Sequence, residues 1–298
     1  MKSHIATFWS SPNVRLAVGA VAISFSGVWV AIADVSPTTS AFYRVFFGSL
    51  FLLLIISRTR EKLTALKPHI FLGVICGLFF ALDLFCWHRS IKLVGPGLAT
   101  LLGNFQVFIL AGVGVILLKE RYGKQLFLAL PLAMAGLFLI VGLEWVEMTA
   151  RYRTGIYYGL ATALFYSAYI LTLKRLYSVP CGTISVMLLV SAATALCLAV
   201  YIVLTGNSFV IPDITSLTSL ACLGFLSQCF GWLLIATSLP KTNTSSAGLI
   251  LLLQPSLSFL WDVLFFNRPT EPLNWLGVFL TLFAIYLGIN AKKEKSKG

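Results

Sequence analysis

Apolar residues fill this chain in runs of about 20, the length a helix needs to cross a hydrocarbon core about 30 Å thick. Ten runs can be marked: 14–33, 38–57, 68–90, 97–118, 126–143, 154–173, 182–205, 216–239, 246–266 and 273–290. The connections between them are short and polar, leaving no room for a soluble domain. A membrane barrel would show alternation over strands of about 10 residues, and that alternation is absent. The pattern predicts an all-α integral membrane protein with ten transmembrane helices.

The pattern also repeats. Residues 90–121 contain a polar Gly95-Pro96-Gly97 hairpin, an apolar helix carrying Asn104 and Gln106, and a basic turn. Residues 238–268 have the same layout. Moved by 148 positions without gaps, Ser90 meets Ser238, Ala99 meets Ala247 and Gln106 meets Gln254. In the first run, Gly19, Ala22 and Phe25 align with Gly159, Thr162 and Phe165 of the sixth. Five runs per half is an odd number, so a second copy must insert the opposite way up. Two inverted five-helix repeats, 1–148 and 149–298, are therefore predicted. Repeats of this kind place a substrate site near the midplane between the halves. Ala31-Ile32-Ala33 looks like a signal-peptidase site. The run before it is long for a signal segment and has a partner later, so it is read as retained.

Charge fits the same picture. Only 11% of residues are charged, against about 25% in soluble domains. The net charge of +12 does not mark a nucleic-acid partner. With the amino terminus inside, sixteen Lys and Arg fall on the inner side and five on the outer, with Arg44 inside the membrane. That is the positive-inside rule, with both termini cytoplasmic. The six cysteines form no CxxC and read as small hydrophobes, with no metal site or cofactor expected. There is no P-loop, HExxH or Gly-x-Ser-x-Gly, so neither ATP hydrolysis nor these hydrolytic chemistries are expected.

Candidate chemistry lies in polar residues at membrane depth. Gln106 and Gln254 each sit about 12 Å into their helices, near the midplane. A buried amide there either lines a cavity or bonds a neighbouring helix. Arg44 and Asp83 fall at similar depths, about 9 and 8 Å from the outer end. Two readings stay open: a structural ion pair, or a carboxylate that binds a proton or a substrate ammonium. Trp87 follows Asp83 by one helical turn and would suit a cationic or zwitterionic substrate, or anchor the interface. His88 can titrate near neutral pH. Asp262, beside Trp261, is either a vestibule residue or a solvated helix end. Tyr166, with Tyr169, and Trp232 would supply an apolar wall for a ligand.

These residues resemble the drug/metabolite transporter superfamily, in its EamA-like branch. The resemblance rests on GLATLLGNFQVFILAGVGVILLKERYGKQLFLALPLAMAGLFLIVG at the end of the first half. Glu120 matches the acidic turn residue, Gly136 a glycine of the fifth helix, Arg44 an arginine of the second and Pro255 a proline of the ninth. Val107 stands where a proline is expected, and Arg268-Pro269 where the second acidic turn would be. The resemblance implies secondary transport by alternating access, exporting amino acids or related small metabolites. It implies a central cavity among the first, third, fourth, sixth, eighth and ninth helices. Trp87, Gln106, Tyr166, Trp232 and Gln254 would line the site, with Arg44, Asp83 and His88 as an ion pair or proton-coupling group. The partners expected are a small-molecule substrate, the lipid bilayer and protons, in a monomer or homodimer. Rival readings are an importer or exchanger of a nucleoside-type metabolite, a membrane enzyme acting on lipid, and a receptor without flux.

Overall fold

The computed structural model describes residues 11–59, 61, 63–117, 124–141, 149–178, 181–267 and 270–290. Every regular element among them is helical. The first half contains α1 (Pro12–Ser24), α2 (Ser26–Ile32), α3 (Pro37–Ile56), α4 (Ile70–Gly103), α5 (Gln106–Gly112) and α6 (Lys124–Val141). The second half contains α7 (Ala150–Leu176), α8 (Thr183–Thr205), α9 (Ile214–Cys222), α10 (Trp232–Ser238), α11 (Thr244–Leu251), α12 (Leu253–Phe266) and α13 (Pro272–Asn290). π-Helical segments Val113–Leu117 and Leu223–Gly231 continue α5 and join α9 to α10. The predicted turns Lys119-Glu120-Arg121 and Arg268-Pro269, with Glu144 and Glu147, lie outside the described residues.

Among the described residues, seven segments are long and apolar enough to cross a membrane. Three further apolar stretches, Gln106–Leu117, Phe127–Gly136 and Pro272–Ala284, are helical as well. The helices start at conventional signals. Ser36 accepts from the Thr39 amide ahead of Pro37, and Thr149 accepts from the Tyr152 amide. Side chains such as Phe71, Val203 and Leu204 stand exposed, as surfaces bathed in lipid chains require.

The hairpin predicted at Gly95-Pro96-Gly97 takes an unexpected form, because α4 is helical straight through it. Its contacts with α7 show that it is nonetheless sharply bent. Cys76 Sγ donates to the Tyr169 carbonyl at 3.8 Å and Ser90 Oγ to the Gly155 carbonyl at 2.9 Å, so this arm runs antiparallel to α7. Past the glycines the order reverses. Leu102 crowds Gly159, Thr162 lies against Gly103, and Ser167 Oγ donates to the Gln106 carbonyl at 3.5 Å. A Cβ at Gly159 would sit 2.6 Å from Leu102 Cδ1 and 3.1 Å from Ser90 Oγ. A straight helix would hold those two residues about 18 Å apart. The chain therefore turns back where proline and glycine weaken the helix, without a break in helical backbone.

The internal repeat is visible in where the helices stop. α4 ends at Gly103 and α11 at Leu251, 148 positions apart. Packing follows suit. α1 lies on the π segment, α10, α11 and α12, while α7 lies on both arms of α4 and on α5. α3 packs on α8 and on the π segment, and α8 packs on α3 and α4. α5 meets α11, and α6 meets α13. Each of these contacts across the halves thus has a counterpart with the halves exchanged. The aligned glycines serve this packing. Without a side chain, Gly19 lets α1 approach α10, since a Cβ there would lie 2.7 Å from the Gly231 carbonyl oxygen.

Candidate functional site

The core centres on three of the largest fully buried side chains, Trp232, Tyr169 and Phe80. Phe80 stacks on Tyr169 with centroids 4.3 Å apart and planes 13° from parallel. Trp232 meets both edge-on, at 5.7 Å from Phe80 and 5.0 Å from Tyr169. Tyr166 completes the group, 6.4 Å from Trp232 and 6.3 Å from Tyr169. Edge-to-face and offset arrangements of this kind are favoured by the ring quadrupoles. The position of Trp232 follows from the π segment before it, which rotates the chain ahead of α10.

Charge enters from α3 and α4. The Arg44 guanidinium lies 5.9 Å from the Phe80 ring centroid. Asp83 follows Phe80 by about one helical turn, and both Arg44 and Asp83 are buried. Arg44 and Asp83 act on each other electrostatically, and both act on Tyr166. The Gln254 side chain on α12 also interacts with the Tyr166 hydroxyl. Five helices, α3, α4, α7, α10 and α12, thus bring a cation, a carboxylate, a phenol and an amide to one aromatic group.

Several polar atoms here are buried without a protein partner: Arg44 Nε, Tyr169 Oη, Trp232 Nε1 and Gln254 Nε2. Gln106 is also buried, and both its amide atoms lack a protein partner. Buried polar groups are normally satisfied, so such a concentration marks a place built for polar contents.

Of the residues singled out in the sequence, Arg44, Asp83, Tyr166, Trp232 and Gln254 converge. Gln106 stands beside Ser167 on α7. Trp87 and His88 lie further along α4, their rings 5.0 Å apart. His88 is buried and Trp87 half-buried. The side chain of Asp262 falls outside the described positions. Gln228 has a packing role. Its Nε2 donates to Ser191 Oγ at 2.9 Å, and its stem fills the space left by Gly48. Sequence reasoning missed Phe80. Its only signal was its position one turn before Asp83.

Two faces bound this centre. On the Pro37 face, Thr39 Oγ1 donates to the Ser208 carbonyl at 2.8 Å and Tyr43 Oη to the Phe209 carbonyl at 2.6 Å. On the opposite face, Glu61 accepts from the Ser185 amide at 2.9 Å and so caps α8. Lys174 Nζ donates to the Thr242 carbonyl at 3.0 Å and to Thr244 Oγ1 at 2.7 Å, fastening α7 to the start of α11.

Membrane-length helices in exchanged pairs around a buried polar centre define a multi-pass membrane transporter, and sequence comparison agrees. The chain belongs to the EamA-like transporter family, whose profile matches residues 13–142 and 153–289, and so to the drug/metabolite transporter superfamily. It is 25% identical over 280 residues to a Bacillus subtilis (strain 168) protein named "Uncharacterized transporter YdfC", covering 92% of this chain and 90% of that one. A solved chain described as "Crystal structure of protein" superposes with a TM-score of 0.80 at 18% identity, over 93% of this chain and 96% of that one. That likeness speaks for the fold.

Proposed function

We propose that this protein is a bacterial inner-membrane secondary transporter that exports amino acids or closely related small metabolites by alternating access. Residues 1–148 and 149–298 act as two inverted repeats of five helices each, with both termini cytoplasmic. The observation that carries the reading is the cluster of Arg44, Asp83, Tyr166, Trp232 and Gln254. A cation and a carboxylate beside one aromatic group complement a zwitterion. The substrate carboxylate goes to Arg44, its ammonium to Asp83 and its side chain to Phe80, Tyr169 and Trp232. The Gln254 amide and the Tyr166 hydroxyl fix its orientation. Gln106 and Trp87 line the path on either side, and Asp83 with His88 carries the proton if transport is coupled. The two halves rock about the bound substrate, exposing it to each face in turn.

The test is counterflow in proteoliposomes preloaded with unlabelled amino acid pools, with labelled amino acids outside, at equal pH and across a pH gradient. Saturable counterflow with at least one pool is expected. Asp83→Asn is expected to abolish the response to the gradient, with exchange persisting only at higher substrate concentration because the ammonium loses its carboxylate partner. Folded protein that exchanges no amino acid, but does exchange a nucleoside, would move the substrate class to the alternative. Exchange of neither would overturn the reading.

A further inference from the structure

We infer that Trp261 and Ser24 form the latch of a gate on the Pro37 face, hinged in the first transmembrane helix. The inference rests on the alternating-access reading above. The starting point is the interruption between α1 and α2 at Phe25. Ser24 Oγ donates back to the Val21 carbonyl at 2.6 Å and Ser26 Oγ to the Ile23 carbonyl at 2.5 Å. Hydroxyls bonded to the preceding turn compete with helical bonding and bend helices. A Cβ at Gly27 would meet nothing within 4 Å, so the segment beyond the bend has room beside it. The hinge therefore carries a seven-residue flap, α2.

The second half holds that hinge shut. Trp261 Nε1 donates to Ser24 Oγ at 2.8 Å, and its ring stacks on Phe25 with centroids 4.1 Å apart. Ser258 Oγ donates to the Ser24 carbonyl at 3.1 Å, and Ser26 Oγ, its proton on the Ile23 carbonyl, shares a 2.9 Å hydrogen bond with the Ser227 hydroxyl. Beyond the hinge, the Asp34 amide donates to Ser216 Oγ at 3.0 Å. An indole N–H that leaves water needs such an acceptor, and the Ser24 hydroxyl supplies it. Each contact is neutral and individually weak, so together they can close a face and still open in every cycle.

Its place along α12 ties the latch to the site. Trp261 follows Gln254 by two helical turns, on the same side of α12 and about 10 Å nearer the Pro37 face. A substrate held at Gln254 must pass Trp261 to leave on that side.

The experiment pairs Ser24→Cys with Ser258→Cys in a chain whose six native cysteines are replaced by alanine. Flux is read in proteoliposomes, before and after oxidation and again after reduction. A cross-link, verified by mass, is expected to cut flux at least about tenfold, reversibly, while equilibrium binding in detergent is kept. A second variant, Trp261→Phe, preserves the stack and removes the donor. It is expected to raise labelling of a Ser26→Cys thiol by an impermeant reagent about fivefold, the effect of one net hydrogen bond. A cross-linked pair that transports undiminished overturns the gate alone. If the pair does not oxidise, unchanged labelling in Trp261→Phe overturns it. A starting protein that moves no substrate overturns the transport reading and the gate with it.

Discussion

The first transmembrane helix and α7 occupy equivalent places in the two halves and do different work. α7 runs unbroken for 27 residues, whereas its counterpart is interrupted at Phe25. In the alignment that pairs Gly19 with Gly159, Ser26 pairs with Tyr166. On α7 that position reaches into the aromatic centre. In the first half it is a small hydroxyl that bends the backbone and bonds Ser227. On the proposed reading, one frame is divided between a rigid wall for the ligand and a jointed closure over it. Close approach is what both copies keep, through Gly19 and Gly159.

The comparison can be broken most severely at the charges between the two helices. Removing one of two interacting buried charges leaves the other uncompensated, at a cost of about 3–5 kcal/mol. Arg44→Gln is therefore expected to lower the thermal midpoint in detergent strongly. Adding Asp83→Asn should recover part of that loss, and strictly additive losses would show that the two do not interact.

The wall and the joint are separated by Tyr166→Phe and Ser26→Ala. The first is expected to weaken half-saturation about tenfold with little change in maximal rate, as loss of a hydrogen bond near a charge does. The second should leave half-saturation alone and change the maximal rate. Opposite outcomes would dissolve the division of labour.

Next come the paired glycines. Gly19→Ala drives a methyl onto the Gly231 carbonyl and the Ile235 amide, both backbone, while Gly159→Ala meets Leu102 Cδ1, which can rotate, and Leu102 Cβ, which moves only with α4. Overpacking costs about 1–3 kcal/mol, and the larger loss of stability is expected at Gly19. Equal losses would mean that both contacts yield alike.

The smallest effect lies at the N-terminus of α9. The Ser216 amide donates to Asp213 Oδ1 at 2.7 Å, which holds this carboxyl below its ordinary range. A carboxyl depressed in the folded state adds stability above its unfolded pKa of about 3.9, lost as pH falls through the lower folded value. The wild-type midpoint should therefore drop below about pH 4, and Asp213→Asn should lack that component of the drop.

Much of this arrangement was legible in the sequence. The repeat was, because its offset of 148 recurs between the ends of α4 and α11. Arg44 and Asp83 stood out as one group, and Tyr166, Trp232 and Gln254 as another with Trp87 and Gln106, since polar and aromatic groups at membrane depth differ from leucine. That the two groups meet at one aromatic cluster was not legible. Phe80 did not stand out. In a chain solvated by lipid, apolar side chains lie on every face, and periodicity does not distinguish a phenylalanine turned inward from one turned to lipid. The bend at Phe25 was equally hidden, because serine hydroxyls can also bond within an unbroken helix, and the partners here, Trp261 and Ser227, come from far along the chain. The turn in α4 was expected at the right residues as an open hairpin. Its helical form depends on packing against α7, which local glycine and proline cannot report.

The most direct test of the central claim compares counterflow of an amino acid with that of its uncharged-carboxyl amide, in wild type and in Arg44→Gln. The account predicts that wild type prefers the free acid by at least about tenfold, and that the preference collapses in the variant while some exchange remains. A preference that survives loss of Arg44 would contradict the assignment of the substrate carboxylate, and with it the site at the centre of this fold.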